Sequence, residues 1–245
     1  MSSSASGTTS LLELEDVQGY YGLAHVLQGV TLEVPAGRLV ALLGRNGAGK
    51  TTTVRAIMGL LSVRGGSITF EGKELVGSPT ENIARLGIGY VPEGRRMFPG
   101  LSARENFRLA ALGAGLDKAA QRGATDRVLA TFPALEPHLD RDASRLSGGQ
   151  QQMVAVGRAL IGGTRLLLID EPTQGLAPNI ASDIARAMRR IADEGVGVLL
   201  VEQNSVMALQ IADHAYALEQ GVIAASGEAQ ELRDSPELLE RYLKL

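Results

Sequence analysis

The chain has 245 residues and a formal net charge of −3, with 24 Lys and Arg residues against 27 Asp and Glu residues. It contains no Cys, which excludes disulfides, Cys-ligated zinc and thiol catalysis and is typical of a reducing compartment. No run of basic residues occurs, so nucleic acid is not an expected partner.

Chain length allows one large domain or two lobes, since a chain of this size buries roughly 70–75% of its unfolded surface. Residues 1–10, MSSSASGTTS, predict a flexible tail without the charged start and apolar core of a signal peptide. The longest apolar stretches are strand-sized, far short of the ~20 residues of a membrane helix. His25, His138 and His214 do not have metal-ligand spacing.

Three segments within the first 70 residues alternate in part between polar and apolar residues. They are Leu12–Val17, Leu27–Val34 and Ser67–Phe70. This alternation predicts a small antiparallel sheet.

The sequence GRNGAGKT, residues Gly44–Thr51, lies between a strand pattern and a helical pattern. Arg38–Leu43 is continuously apolar after its first residue and predicts a buried strand. The helical spacing is that of Val54, Ile57, Met58 and Leu61. A glycine-rich loop at such a junction predicts a triphosphate site.

The residue types in this loop are those that a triphosphate site needs, for physical reasons. Glycines let backbone N–H groups point inward as an anion-binding nest, and the following helix adds its positive end. Lys50 can reach the β- and γ-phosphates, the Thr51 hydroxyl suits Mg²⁺, and Thr52 can cap the helix or contact the α-phosphate. The predicted ATP contacts are Gly44, Arg45, Asn46, Gly47, Ala48, Gly49, Lys50, Thr51 and Thr52. A turn that only closed the strand-helix connection would not need a Lys-Thr pair.

Strand signals fade between residues 93 and 163, where segments rich in Ala, Leu and Arg predict an inserted helical subdomain. Within it, Ser147, Gly148, Gly149 and Gln150 open a helix. Ser147 and Gln150 fit a capping box, which is one explanation of the pattern. Two glycines in a first helical turn favour a second explanation, the close approach of a phosphate.

The sheet pattern returns after residue 163. Arg165–Asp170 and Val196–Val201 predict parallel strands joined by a helix, and His214–Glu219 with Val222–Ser226 predict two more strands. Glu228–Leu245 is expected to form closing helices. We therefore predict a nucleotide-binding core from residues 11–92 and 164–245, with residues 93–163 as the helical subdomain.

Two carboxylates, Asp170 and Glu171, lie at the end of the first of these strands. Asp170 is suited to hold Mg²⁺, and Glu171 is the candidate general base for an attacking water. An acidic strand end that only caps the next helix is the alternative explanation.

These motifs, in this order, resemble the nucleotide-binding subunits of ABC transporters. The resemblance covers nearly everything from residue 11 to residue 245. It implies a P-loop NTPase core of the RecA-like α/β type, with a small antiparallel β subdomain and an inserted helical subdomain. It also implies that two cassettes meet head to tail and that residues 147–150 contact ATP bound to the partner cassette.

The resemblance implies further assignments. Tyr21 matches the aromatic residue that stacks on adenine, and the adjacent Tyr20 is a rival. Two membrane permease subunits are expected as direct partners and an extracytoplasmic substrate-binding protein as an indirect one. The expected location is the cytoplasmic face of the cell membrane.

Three residues depart from the general cassette pattern. Glu93 replaces a Gln that senses Mg²⁺ and water, and it should still coordinate Mg²⁺. Gln203 replaces a His at the γ-phosphate; it can donate a hydrogen bond but cannot take up a proton, so Glu171 should act as base alone. Ala177 replaces an Asp expected at the seam between cassettes.

The segments VPEGRRMFP, DEPTQGLAP and VEQN resemble those of the second ATP-binding subunit of branched-chain amino acid importers. Cassettes of urea and short-chain amide importers are similar. An exporter or lipid-transport cassette and a soluble ABC protein acting on nucleic acid or the ribosome are the alternatives. The transported solute follows from resemblance alone, because it would not contact this chain.

Overall fold

The computed structural model describes residues 10–235, and it contains two sheets. The first is antiparallel, with strand order β2-β1-β4-β5. Its strands are β1 (Ser10–Tyr21), β2 (Ala24–Pro35), β4 (Ser62–Phe70) and β5 (Lys73–Glu74). The antiparallel sheet predicted from residues 12–34 and 67–70 is confirmed. Ser10 begins β1, so the prediction of a tail is wrong at that residue, while residues 1–9 lie outside the described range.

The second sheet has the strand order β10-β9-β3-β8-β7-β6 and is parallel except for β10. Its strands are β3 (Leu39–Leu43), β6 (Ile88–Val91), β7 (Leu166–Asp170), β8 (Gly197–Glu202), β9 (His214–Glu219) and β10 (Val222–Glu228). Carboxyl ends of parallel strands meet at one edge, where open α/β sheets bind ligands. The loops after β3, β6, β7 and β8 therefore come together there.

Eight α-helices occur within residues 10–235. They are α1 (Lys50–Ile57), α2 (Thr80–Arg85), α3 (Ala103–Gly113), α4 (Lys118–Thr131), α5 (Gly148–Leu160), α6 (Pro178–Asp193), α7 (Ser205–Ile211) and α8 (Ala229–Arg233). The predicted helical content of residues 93–163 is confirmed by α3, α4, α5 and two short 3-10 helices, Pro133–His138 and Ala143–Arg145. The division into subdomains at residues 92 and 163 stays a prediction. The expected closing helices are described only as far as residue 235.

Helix α1 is shorter than its sequence pattern predicts. It ends at Ile57, and Gly59 follows with a φ of 68° in the left-handed region. A Cβ at Gly59 would lie 2.7 Å from the backbone oxygen of Ser78, so this turn admits little besides glycine. Leu61 is therefore not on the helix, which corrects the prediction, although it still packs against the core.

Alternate residues of β3 belong to two apolar clusters. Leu39, Ala41 and Leu43 pack with the helical part of the chain, whereas Val40 and Leu42 pack on the side of the antiparallel sheet. A parallel strand covered on both faces is apolar at every position, as observed here. The phosphate loop that follows β3 is thus held by a strand buried from both sides.

The length and hydropathy of the helices decide whether any of them could span a membrane. Within residues 10–235, no helix is both long enough and apolar enough to span a bilayer.

Candidate nucleotide-binding site

The loop after β3 has the backbone that its glycines predict, with one difference. Gly47 and Gly49 have φ values of 81° and 111°, in the left-handed region that favours glycine. Gly44 has no positive φ, and a Cβ there would lie 2.4 Å from the backbone oxygen of Leu218. Gly44 is therefore required by the neighbouring strand β9, a reason that the sequence alone does not give.

Lys50 is the first residue of α1, and only 5% of it is exposed. Its ammonium group donates to the backbone oxygens of Gly44, at 2.8 Å, and Arg45, at 3.3 Å. Oε1 of Glu171 lies 3.2 Å from Nζ. The cation is thus fixed beside the loop with two carbonyls and one carboxylate as neighbours.

The helix start differs from one prediction. Gly49 is the N-cap of α1, and no side chain caps the helix. The prediction that Thr52 could cap the helix is therefore wrong, because Thr52 lies inside the first turn. Its side chain lines the cavity beside the loop, which leaves the α-phosphate contact as the remaining prediction.

Glu171 follows β7 in a left-handed conformation, with φ of 45°. Such a conformation costs a residue with a Cβ about 1–2 kcal/mol, so the surrounding structure must hold it in place. The backbone N–H of Glu171 donates to Val201 on the neighbouring strand at 2.9 Å, and the amide of Gln174 donates to Oε2 at 3.1 Å. Backbone and side chain are both held by hydrogen bonds.

Asp170 is 1% exposed, and neither of its carboxylate oxygens has a hydrogen-bond partner among residues 10–235. Burial raises the pKa of Asp170, the nearby Thr51 and Lys50 oppose this, and the carboxylates of Glu171 and Glu93 raise it further. A buried carboxylate without partners is costly. A cation is the ligand that would relieve the cost.

Tyr90 on β6 lies beside this carboxylate. Burial, together with the nearby Asp170, raises the pKa of Tyr90 to about 12, so its phenol stays neutral. No group of three or more His, Cys, Asp or Glu within residues 10–235 forms a metal site by itself. A Mg²⁺ ion does not need such a group when a Thr hydroxyl, carboxylates and phosphate oxygens hold it together.

Two cavities flank the phosphate loop and share Arg45, Asn46 and Gly47. One cavity has a volume of about 280 Å³. Besides the three shared residues, it is lined by Gly49, Lys50, Thr51, Thr52, Glu93, Glu171 and Gln174. The other, of about 530 Å³, is lined by Ala48, Gln203, Leu218, Glu219 and Gln220. The structure thus brings Thr51, Glu93 and Glu171 together on one side of the loop and places Gln203 on the other side.

The two adjacent tyrosines have different surroundings. The ring of Tyr20 stacks on His25 with centroids 4.3 Å apart and an interplanar angle of 4°. The Arg64 guanidinium lies 4.5 Å from the same ring. Tyr21 is 41% exposed, and its hydroxyl accepts a hydrogen bond from Arg55 at 3.1 Å. Of the two, Tyr21 has the ring available for stacking.

Residues 147–150 open α5 with the capping box that their sequence predicts. Ser147 Oγ accepts from the backbone N–H of Gln150 at 3.3 Å, and Gln150 Oε1 accepts from that of Ser147 at 3.1 Å. A Cβ at Gly149 would lie 2.3 Å from Cγ2 of Ile180, and one at Gly148 would lie 2.9 Å from the Arg95 guanidinium. Packing against Ile180 therefore accounts for Gly149, whereas the Arg95 guanidinium beside Gly148 is the end of a flexible side chain that can move away. The predicted contact of residues 147–150 with a phosphate stays a prediction.

Three residues near the site were missed by the sequence analysis. Gln174 holds Glu171, Arg95 covers Gly148, and Glu202 is buried just before Gln203. Gln174 and Glu202 each lie within three residues of a predicted site residue, which is the only sequence signal for them. Arg95 lies two residues after Glu93, but its contact with Gly148 joins two distant segments and does not follow from that spacing.

A glycine loop between a buried parallel strand and a helix, with a buried Lys and two strand-end carboxylates, defines the class of P-loop nucleotide-binding proteins. Residues 27–174 match the family model described as ABC transporter. The chain belongs to that family: it binds ATP and is an ATPase whose activity powers transport.

Similar proteins cover nearly the whole chain. BraG of Pseudomonas aeruginosa, a high-affinity branched-chain amino acid transport ATP-binding protein, is 43% identical over 95% of this chain and 99% of its own length. LivF of Archaeoglobus fulgidus, a probable branched-chain amino acid transport ATP-binding protein, is 37% identical over 87% of this chain and 90% of its own length. LptB of Acidithiobacillus ferridurans, the ATP-binding protein of a lipopolysaccharide export system, is 33% identical over 96% of this chain and 97% of its own length.

Solved structures agree with the fold. The ADP conformation of an ATP-binding cassette of an ABC transporter superposes with a TM-score of 0.85 at 26% identity, covering 97% of this chain and all of that one. An ATP-binding subunit of an ABC transporter has a TM-score of 0.81 at 34% identity, with 94% of each chain covered. The P-loop α/β fold predicted from the sequence is confirmed.

Proposed function

We propose that this chain is the ATP-hydrolysing subunit of an importer for branched-chain amino acids. The relatives BraG and LivF, at 43% and 37% identity, are named as a branched-chain amino acid transport ATP-binding protein and a probable one. Two membrane permease subunits would be its direct partners at the cytoplasmic face of the membrane, and an extracytoplasmic binding protein would select the solute. This chain would supply the energy.

Each residue of the site has a role in this proposal. Lys50 binds the β- and γ-phosphates in the small cavity, where it already lies beside Gly44. Glu171 accepts a proton from the attacking water, because its carboxylate faces that cavity. Gln203 donates an amide hydrogen bond to the γ-phosphate from the second cavity.

Mg²⁺ fits the oxygen donors in and beside the small cavity that Lys50 lines. The partnerless carboxylate of Asp170 is the observation that supports it, with Thr51 and Glu93 as the further oxygen donors. When bound, the ion supplies positive charge that balances the phosphate oxygens.

One observation carries the proposal of a paired cassette. The two cavities beside the phosphate loop are lined by residues of the loops after β3, β6, β7 and β8, of α1, and of β9 and the turn that follows it, and none of residues 147–150 is among them. Ser147 opens α5 with its helix N-terminus, which favours negative charge. A second cassette, turned head to tail, would bring this helix end to the nucleotide and complete its surroundings.

The helical part next to Glu93 is the proposed contact with the permease. Phe98 is 47% exposed, and the Arg158 guanidinium lies 4.9 Å from its ring. Nη1 of Arg158 is buried without a hydrogen-bond partner among residues 10–235. Movement of this segment when ATP closes the pair would pass to the membrane subunits through residues 93–105.

Closure by ATP is tested with Glu171→Gln, which keeps the shape of the site and removes the base. Light scattering with ATP and Mg²⁺ should give a dimer for Glu171→Gln, whereas the wild-type protein hydrolyses its ATP and returns to monomers. Lys50→Met is the control that should stay monomeric. A Glu171→Gln protein that stays monomeric and hydrolyses ATP normally would contradict the proposal.

Solute choice needs its own experiment. Vesicles containing the chain with its permease subunits and binding protein should take up leucine, isoleucine and valine when ATP is inside. Urea and short-chain amides are the comparison solutes. Uptake of urea without uptake of leucine would assign the chain to the other importer class and leave the ATPase proposal unchanged.

A further inference from the structure

Glu202 ends strand β8, and its side chain binds two different loops. It is 3% exposed. Oε1 accepts from the Thr173 hydroxyl at 2.6 Å and from the Thr173 backbone N–H at 3.3 Å. Oε2 accepts from the backbone N–H of Asn204 at 3.4 Å. A single buried carboxylate thus connects the segment after β7 with the segment after β8.

A buried carboxylate is costly unless hydrogen bonds compensate it. Glu202 takes part in no ion pair in the described part of the chain. Burial raises the pKa of Glu202, and the Thr173 and Asn204 hydrogen bonds oppose that rise. An apolar residue would fill the same place in an otherwise fully buried strand at a lower cost. The carboxylate therefore needs a reason beyond packing.

Its hydrogen-bond partners indicate the reason. Thr173 lies two residues after Glu171, and Asn204 is the residue after Gln203. The backbone N–H of Glu171 also donates to Val201, the residue before Glu202. The end of β8 therefore holds the Glu171 loop at two points, the backbone N–H of the strained Glu171 itself and Thr173 two residues later, and it holds the Gln203 loop at a third point, Asn204.

We propose that Glu202 is a positioning residue that fixes the Glu171 and Gln203 loops relative to each other for hydrolysis. The inference rests on the roles proposed above for those two residues. Glu202 is buried and lines neither cavity, so in this proposal it acts through the two loops and not by contact with the nucleotide. Because a misplacement of about 1 Å can reduce a rate about 100-fold, loss of these hydrogen bonds should lower kcat. KM for ATP should change little, since the phosphate loop depends on β3 and α1.

Three variants test the hydrogen bonds with little change in shape. Glu202→Gln replaces one acceptor oxygen by an N–H group that faces a donor. Thr173→Val removes the hydroxyl, whereas Thr173→Ser keeps it. We expect kcat to fall about 10-fold or more for the first two variants, in line with the positional sensitivity above. KM should stay within about 3-fold of wild type and Thr173→Ser should retain most of the wild-type kcat.

A matched control separates positioning from general stability. Thr131 on α4 is 9% exposed, like Thr173, and its hydroxyl donates to the backbone oxygen of Arg127, away from the site. Thr131→Val should leave kcat unchanged, even where its melting temperature falls. The kcat loss of the double variant Glu202→Gln/Thr173→Val should be smaller than the product of the two single losses, because both variants weaken the contact between Glu202 and Thr173.

Two outcomes would overturn the inference. One is a wild-type kcat in Glu202→Gln and Thr173→Val; the other is a loss of kcat that Thr131→Val reproduces at an equal fall in melting temperature. Glu171→Gln distinguishes this failure from failure of the proposed function. If Glu171→Gln is inactive while the Glu202 and Thr173 variants are fully active, only the inference fails. If Glu171→Gln itself turns over normally, the assigned base is wrong.

Discussion

The Lys50 ammonium lies 3.2 Å from the carboxylate of Glu171, and the two side chains are 4% and 10% exposed. The two charged groups proposed to act on ATP are therefore bound to each other. Phosphate oxygens that bind Lys50 compete with Glu171 for the same cation. We expect ATP binding to weaken this pair and leave the Glu171 carboxylate free to accept a proton from water.

Replacing Lys50 should mainly affect nucleotide binding. Lys50→Met keeps the length of the side chain but removes the ammonium group. Because hydrogen bonds to charged groups contribute about 1.5–3 kcal/mol each, ATP affinity should fall about 10- to 100-fold. Titration calorimetry with ATP and Mg²⁺ measures this. The exposed Lys73 on β5 gives the control, Lys73→Met, which should bind as wild type does. Wild-type affinity in Lys50→Met would rule out the phosphate contact.

The adenine contact distinguishes Tyr21 from Tyr20. Stacking of a base on an aromatic ring contributes about 1–3 kcal/mol, so Tyr21→Ala should weaken ATP binding about 5- to 100-fold. Tyr20→Ala should leave the affinity for ATP nearly unchanged, because the Tyr20 ring already packs against His25 and Arg64 and is not free to stack on adenine. Competition by a fluorescent ATP analogue measures both variants side by side. The reverse order of effects would assign the base to Tyr20.

The nucleotide loop could be predicted from sequence because its signals are local. A buried strand, glycines at two left-handed positions and the Lys-Thr pair all lie within residues 38–52. The strand-end carboxylates were recognisable for the same reason. Hydrophobic periodicity likewise predicted strands in both sheets, because most strands have their own pattern of burial. The short strands β5 and β6 were not predicted, since two and four residues are too few to show a period.

Contacts between distant segments could not be predicted in this way. The end of α1 depends on the Ser78 backbone beside Gly59, and the need for Gly149 depends on Ile180. The choice between Tyr20 and Tyr21 depends on Arg64, which approaches from β4. Local patterns do not encode such neighbours, and each of these points needed the structure.

The packing of α5 against α6 predicts a stability effect at Gly149. An Ala Cβ would lie 2.3 Å from Cγ2 of Ile180, and overpacking of this kind costs about 1–3 kcal/mol. In a chain of this size, 1 kcal/mol corresponds to about 2–4 °C, so Gly149→Ala should lower Tm by about 2–12 °C. Differential scanning fluorimetry measures the change.

Ile180→Ala removes the atom that the new methyl group would meet. On that background, adding Gly149→Ala should have almost no cost, because the clash is gone and Ala favours a helix over Gly by about 1 kcal/mol. An equal cost on both backgrounds would show that Ile180 is not the reason for the glycine. A double variant that folds as well as Ile180→Ala but does not hydrolyse ATP would place a nucleotide contact at Gly149 as well.

Acid stability should depend on Asp213, which lies just before β9. Its carboxylate accepts from the backbone N–H of Leu39 at 2.8 Å and from Arg189 at 2.8 Å, and Arg38 approaches at 3.2 Å. Burial acts to raise the pKa of Asp213, but the hydrogen bonds from Arg189 and Leu39 outweigh it and the pKa is lowered. These contacts connect the start of β3 to the start of β9.

A lowered folded-state pKa fixes the direction of the pH effect. The stabilisation is complete above the unfolded pKa of about 3.9 and is lost as pH falls through the folded value. Asp213→Asn should therefore be less stable than wild type at pH 7, by about 1–3 kcal/mol for the charged hydrogen bonds removed. The difference should shrink as pH falls below about 4, because the unfolded chain then binds a proton at Asp213 that the folded protein takes up only at lower pH. Urea unfolding from pH 7 to pH 3 measures both, and a difference independent of pH would show that the Asp213 charge is not responsible.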